Sequence, residues 1–272
     1  DSLCVLAIRG STQRISSWIA NFYAAMVPAK GCMVMEEGQC TGYQLSHHEQ
    51  ASVHAGWLYC MLSMWPEMRP VIDSLHTAGF RDLMITGHSQ GGAIANLLTA
   101  QLKIKQADGH LPKDWRIKTY ATAPPKPGNL HFAHSYAQLT LGGWAWNLIL
   151  TADWVPETPV TLQTLSDFNP VNPFKHSRFV EERAPFPGGL IYRGLVGLLD
   201  APGKRAMRRY RFFLGSLPER FVSSEYPGFE PPDYEEGLNY VRAGETRYLF
   251  ADEAYFQAFP QDPDRPFIHH LH

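Results

Sequence analysis

The apolar positions of the chain fall into two alternating kinds of pattern. Leu3 to Ile8 is an unbroken apolar run ending at Arg9-Gly10, which predicts a strand buried on both faces of a parallel sheet. Leu83-Met84-Ile85-Thr86 repeats that pattern and stops at Gly87. Directly after it, Ile94, Leu97, Leu98 and Leu102 recur at three- and four-residue intervals, the stripe of an amphipathic helix. Ile117 to Ala121 and Trp146 to Leu150 read as two further strands, separated by the turn-forming loop Pro124-Pro125-Lys126-Pro127-Gly128-Asn129 and a helix. Such alternation predicts an α/β fold whose mainly parallel central sheet is flanked by helices. Gln50 to Met64 and Val71 to His76 read as two helical pieces broken by Pro66 and Pro70. Beyond Pro159 prolines multiply around a helical stretch from Leu190 to Leu214. Residues 165–245 are therefore expected to form an insertion or cap-like region within a single domain spanning 1–272.

Composition narrows the class. A chain of 272 residues that is 44% hydrophobic and 18% charged suits one globular domain with a substantial core. A net charge of −2 lacks the basic excess expected of a nucleic-acid-binding protein. No apolar run approaches the roughly 18–20 residues that a membrane-spanning helix needs, and Asp1-Ser2-Leu3 does not open a signal peptide, so any targeting segment is expected to have been removed or never to have existed. Of four cysteines, Cys32 and Cys40 flank a short polar turn that a disulfide could close, whereas Cys4 and Cys60 sit in apolar runs and read as small buried hydrophobes.

Candidate chemistry centres on Gly87-His88-Ser89-Gln90-Gly91-Gly92. This G-x-S-x-G lies between a strand and a helix, where its turn is so tight that the residues flanking the serine must be small. Ser89 is thereby a candidate nucleophile, and the N–H of Gln90 at the helix start can help bind an oxyanion. A serine hydroxyl needs a base, and the base needs an acid to hold its tautomer. In α/β-hydrolases the order is serine, acid, histidine. Asp153 stands just past the strand ending near Leu150, with Asp167, Asp200 and Asp252 as rivals by order alone. The base lies among His269, His270 and His272, with His176 the main rival. His47-His48-Glu49 with His54 does not have the H-E-x-x-H spacing, so no metal and no cofactor is expected.

Six spaced motifs now occur in one order: Arg9-Gly10-Ser11-Thr12; Ser17-Trp18-Ile19-Ala20-Asn21; Val53-His54-Ala55-Gly56-Trp57; the Ser89 segment; Thr119 to Pro124 with Gly128-Asn129; and Asp153-Trp154-Val155-Pro156. Together they resemble the class 3 lipases, the family of the filamentous-fungal triacylglycerol lipases, over roughly residues 1–160 and the last few positions. The resemblance implies an α/β-hydrolase acting on acylglycerol esters, with a phospholipase A1 or a soluble carboxylesterase as alternatives and a non-catalytic lipid-binding module as a remote one. It implies Asp153 as the acid, His270 as the base, and Ser11 paired with Gln90 in an oxyanion hole. It also implies that Ile15, Trp18, Ile19 and Phe22, at helical spacing on one face, form a lid that turns outward on a lipid surface. Secretion and transient contact with a membrane or lipid droplet follow from the same likeness; the oligomeric state does not.

Three departures stand out. Gln90 occupies a position where the family usually has leucine. The stretch from Asp153 to His270 is long for the family, and the tyrosine expected after the histidine falls past His272. The chain also opens inside a core strand, so elements upstream are expected. Lys204, Arg205, Arg208, Arg209 and Arg211 among aromatic residues read as a solvated helix face or, alternatively, as a site of attraction to anionic lipid headgroups.

Overall fold

A computed structural model describes residues 3–36, 39–169, 172 and 187–271. Five strands, Leu3–Ile8 (β1), Asp82–His88 (β6), Arg116–Thr122 (β7), Ala145–Leu150 (β8) and Glu245–Leu249 (β9), form one sheet in that order with every neighbouring pair parallel. Parallel neighbours need crossovers, and helices supply them. Ala55–Thr77 (α2) precedes β6, Gln90–Ala107 (α3) joins β6 to β7, and Leu130–Leu139 (α4) joins β7 to β8. Short strands complete the fold: Met26–Pro28 (β2) pairs with Ser52–His54 (β5), and Lys30–Glu36 (β3) with Gln39–Gln44 (β4). Cys32 and Cys40 are disulfide-bonded across the β3–β4 hairpin, while Cys4 is buried and Cys60 half-buried.

The core lies between the sheet and α3, with α2 and α4 beside it. Leu83 and Ile85 from β6, Ile117 from β7, Leu97 and Leu98 from α3 and Phe132 from α4 are all buried there. A chain of polar side chains inside this layer is paired, which offsets the cost of burying them. Tyr136 donates to Asn96, Asn96 to Asn147, and Asn147 to the carbonyl of Ala243, tying α3, α4, β8 and the approach to β9 together.

Two expectations are corrected. The apolar strands are not buried on both faces: β1 is an edge strand with Leu3 and Val5 exposed, and β6, β7 and β8 alternate between buried and half-open positions. The opposite face is only partly covered, so Tyr120 and Trp146 sit there beneath Lys118 and Arg247. Likewise α2 is one continuous helix with Pro66 and Pro70 inside it. Both prolines are exposed, and packing of Leu58, Met61, Leu62 and Ile72 into the core holds the helix through the missing hydrogen bonds. The sequence reading gave no strand at β2, β3, β4 or β9 and placed β5 inside a helix; the mostly exposed residues of β9 carry no apolar run.

His54 caps α2 by accepting the Trp57 N–H at Nδ1, so its proton resides on Nε2, which is buried without a partner. Burial pushes its pKa down to about 3. The unfolded chain takes up a proton there below about pH 6.5 and the folded chain does not, so stability is complete above that pH and falls as pH drops toward 3. The contribution at stake is on the order of 5 kcal/mol. Urea unfolding of wild type should therefore lose stability more steeply between about pH 7 and 4 than unfolding of His54→Asn, whose side chain caps without titrating. Equal pH slopes for the two proteins would reject this origin.

Candidate active site

Ser89 occupies the single residue between β6 and α3 and adopts φ 58°, ψ −130°. A positive φ is costly for a residue with a Cβ, and it is held here by its surroundings. The Ser89 N–H donates to the carbonyl of Thr122 at 2.9 Å, and its own carbonyl accepts from Gly92 and Ala93. The flanking glycines are required by close approach: a Cβ on Gly87 would lie 2.3 Å from the Gly91 oxygen, and one on Gly91 would lie 2.2 Å from the Ile8 oxygen. Strand, strained serine and helix in this order, at the carboxyl end of a parallel sheet, make the α/β-hydrolase arrangement.

The acid and histidine candidates meet across 117 residues. Asp153 follows β8, and its Oδ1 accepts the Val155 N–H at 2.9 Å while Oδ2 lies 2.7 Å from Nδ1 of His270. Both side chains are nearly inaccessible, 1% for Asp153 and 5% for His270. With Nδ1–H donated to the carboxylate, Nε2 is the unprotonated nitrogen, as a base requires. His270 sits in the short helix Ile268–Leu271. Trp154 fastens that segment to the Asp153 loop: its indole N–H donates to the Pro266 carbonyl at 2.7 Å, and its ring lies 5.3 Å from Phe267. Sequence reasoning gave Trp154 no role of its own, since no local pattern marks a contact 112 residues away.

The other candidates go elsewhere. His269 Nδ1 meets the Tyr255 hydroxyl at 3.1 Å. Asp252 caps the short helix Glu253–Ala258 (α7), Asp167 accepts the Thr164 N–H, and Asp200 accepts the Leu165 N–H and pairs with Lys204. His176 and His272 lie outside the described residues. Of the histidines weighed as metal ligands, His54 caps α2, His47 faces Asp108 and His48 stacks on His131. An unanticipated neighbour is His88, whose ring centroid is 4.5 Å from that of His270 and whose Nδ1 meets Thr122 Oγ1 at 3.0 Å. Burial, and next the adjacent His270, lower its pKa.

Ser89 and His270 line one cavity of about 830 Å³ without a direct hydrogen bond between them. Aromatic groups dominate its wall, including Trp18, Phe22, Trp57, Trp154 and Phe267, which suits an apolar ligand with one polar reacting group. Ser11 and Gln90 border the same space. Among the described residues neither of their backbone N–H groups donates to a protein acceptor, leaving both available to an oxyanion.

The Gln90 side chain is an anchor. Its Oε1 accepts from Ser17 Oγ at 3.1 Å and lies 3.4 Å from Ser11 Oγ, and its Nε2 donates to the Ser17 carbonyl. Asn21 extends the chain by donating to Ser11 and accepting from Trp57. The helix Ile15–Phe22 (α1) is thereby tied to the start of α3. Its apolar residues fall within an arc of about 100° but meet different surroundings. Trp18 lines the cavity and packs edge-on against Phe267, Ile19 packs on the core, and Ile15 and Phe22 are exposed. With successive residues about 100° apart, the 18–22 stripe covers the cavity rim while position 19 turns inward.

A family model described as Lipase (class 3) matches residues 5–163. A lipase of Caenorhabditis elegans is 33% identical over 98 residues, covering 35% of this chain and 26% of that protein. Secreted mono- and diacylglycerol lipase 3 of Gibberella zeae is 32% identical over 108 residues, covering 39% of this chain and 32% of its own length. The matched stretch thus spans no more than about a third of either curated relative. Among solved structures, a lipase from Rhizopus microsporus var. chinensis is similar at 28% identity, covering 42% of this chain and 38% of that one with a TM-score of 0.35.

Proposed function

Because this chain belongs to the class 3 lipase family, we propose that it hydrolyses carboxylic ester bonds of acylglycerols through a Ser89 acyl-enzyme. The observation that carries the reading is the buried Asp153–His270 contact in the same cavity as the strained Ser89. Nε2 of His270 takes the Ser89 proton as Oγ attacks the ester carbonyl. Asp153 holds the ring in its tautomer and balances the imidazolium. The N–H groups of Ser11 and Gln90 receive the oxyanion, and the alcohol leaves with the proton that His270 returns. Water then attacks the acyl-enzyme with the same base and frees the carboxylic acid. No cofactor enters the scheme, and residues 165–245 act as an insertion within the single domain.

A fluorophosphonate probe tests the nucleophile: wild type should be labelled stoichiometrically and Ser89→Ala not at all. An unlabelled wild type, or label surviving the substitution, overturns the assignment.

The aromatic wall favours long acyl groups, and α1 over that wall supports a lid. Opening it needs the Gln90–Ser17 hydrogen bonds to break, a cost that an apolar surface offsets by accepting Ile15, Trp18 and Phe22. The rate on a medium-chain acylglycerol should therefore rise sharply once its concentration passes the solubility limit. A curve that saturates smoothly through that limit rejects the lid and favours the soluble carboxylesterase reading. Phospholipids in the same assay decide between triacylglycerol lipase and phospholipase A1. Secretion is supported by the Cys32–Cys40 disulfide and by the secreted relative.

A further inference from the structure

The helix Gly188–Arg211 (α5) is 24 residues long and contains no buried residue. Ile191, Leu195, Leu198 and Leu199 stand at i, i+4, i+7 and i+8, one face of a helix, and all are exposed. After Arg211 a π-helical turn, Phe212–Ser216, widens the coil and presents Phe212 and Phe213 to solvent. Among the described residues the carboxyl-terminal half anchors the helix to the core. Met207 and Tyr210 pack on the small core around Met26, Leu238 and Tyr240, and Gly215 is buried against Ala25. Tyr210 and Leu214 from this half line the Ser89 cavity, so the exposed apolar face adjoins the site.

Charge decides what such a face fits. Residues 188–216 carry six basic residues and one acidic residue in a chain whose net charge is −2. Asp200, the acidic one, is paired with Lys204, and Arg205, Arg208, Arg209 and Arg211 are exposed. A second copy of a near-neutral protein offers no matching excess of negative charge, whereas an anionic bilayer offers both headgroup charge and an apolar interior. No described helix is long and apolar enough to cross that interior, so α5 lies along the surface.

We propose that α5 and the turn after it dock this protein on anionic phospholipid surfaces, with the leucines inserted, the arginines among the headgroups and the cavity mouth held at the interface. Its purpose rests on the ester-hydrolase reading of Ser89; its physics does not. The test is sedimentation of the Ser89→Ala protein with vesicles of phosphatidylcholine alone or mixed with phosphatidylserine. Binding should strongly favour the mixed vesicles and collapse at high salt. Each basic group strengthens partitioning about fivefold, so R205E/R208E/R209E should weaken it at least about a hundredfold, while R205K/R208K/R209K retains it. L195S/L198S/L199S should weaken binding to both vesicle types. In the Ser89 background these variants should hydrolyse a short soluble ester at the wild-type rate, which reports that they are folded. Equal binding to both vesicle types, indifference to charge reversal, or leucine changes that alter only the oligomeric state would overturn the proposal. Vesicle binding by a wild type unable to cleave soluble esters would instead count against the hydrolase reading alone.

Discussion

Ser89→Ala should lower kcat on a soluble p-nitrophenyl ester about a million-fold while leaving substrate binding and the far-ultraviolet circular dichroism unchanged. The loss is expected to be this large because the hydroxyl is the proposed reacting atom, and the nearby alternatives are placed wrongly to replace it. Ser11 Oγ accepts from Asn21 and Ser17 Oγ donates to Gln90. Some catalysis above water should persist, since the two N–H donors and the cavity are untouched. Activity within tenfold of wild type would show that another group forms the acyl-enzyme.

Asp153→Asn should reduce kcat about ten-thousand-fold with KM held. The amide can present its NH2 to Nδ1 of His270, moving the imidazole proton to Nε2, where it blocks the removal of the Ser89 proton. Because Oδ1 also receives the Val155 N–H, the isosteric change keeps the loop in place and the effect falls on the tautomer. The pH profile separates this from misfolding: a mispositioned base lowers kcat at every pH, whereas a wrong tautomer is partly relieved where hydroxide replaces it. Asp252→Asn is the matched control, as asparagine caps α7 as well as aspartate does. A loss at Asp252 equal to that at Asp153 would refute the pairing.

Legibility in the sequence followed the range of the interaction. The Ser89 turn was readable because its determinants are adjacent: Gly87, Gly91 and the serine between them satisfy a local steric demand. The parallel sheet was readable because β1, β6 and β8 carry apolar runs and strand-like and helix-like stretches alternate along the chain. Their burial was misjudged, since an apolar run records what a strand can tolerate on each side and not which side is covered. The break expected in α2 failed for a related reason. Proline removes a local hydrogen bond, but the side chains that α2 buries lie far away in sequence.

By itself, then, the sequence determined the α/β alternation, the strained serine between strand and helix, and the family likeness of the first 160 residues, all of them carried by neighbouring residues and short spacings. Only the tertiary structure decided which aspartate meets which histidine, that Trp154 fastens the last helix over the site, that Gln90 ties α1 to the nucleophile helix, and that β9 joins the sheet. Each of those contacts closes a loop of tens to more than a hundred residues. No local pattern encodes such a closure; it follows from the folding of the whole chain around one core.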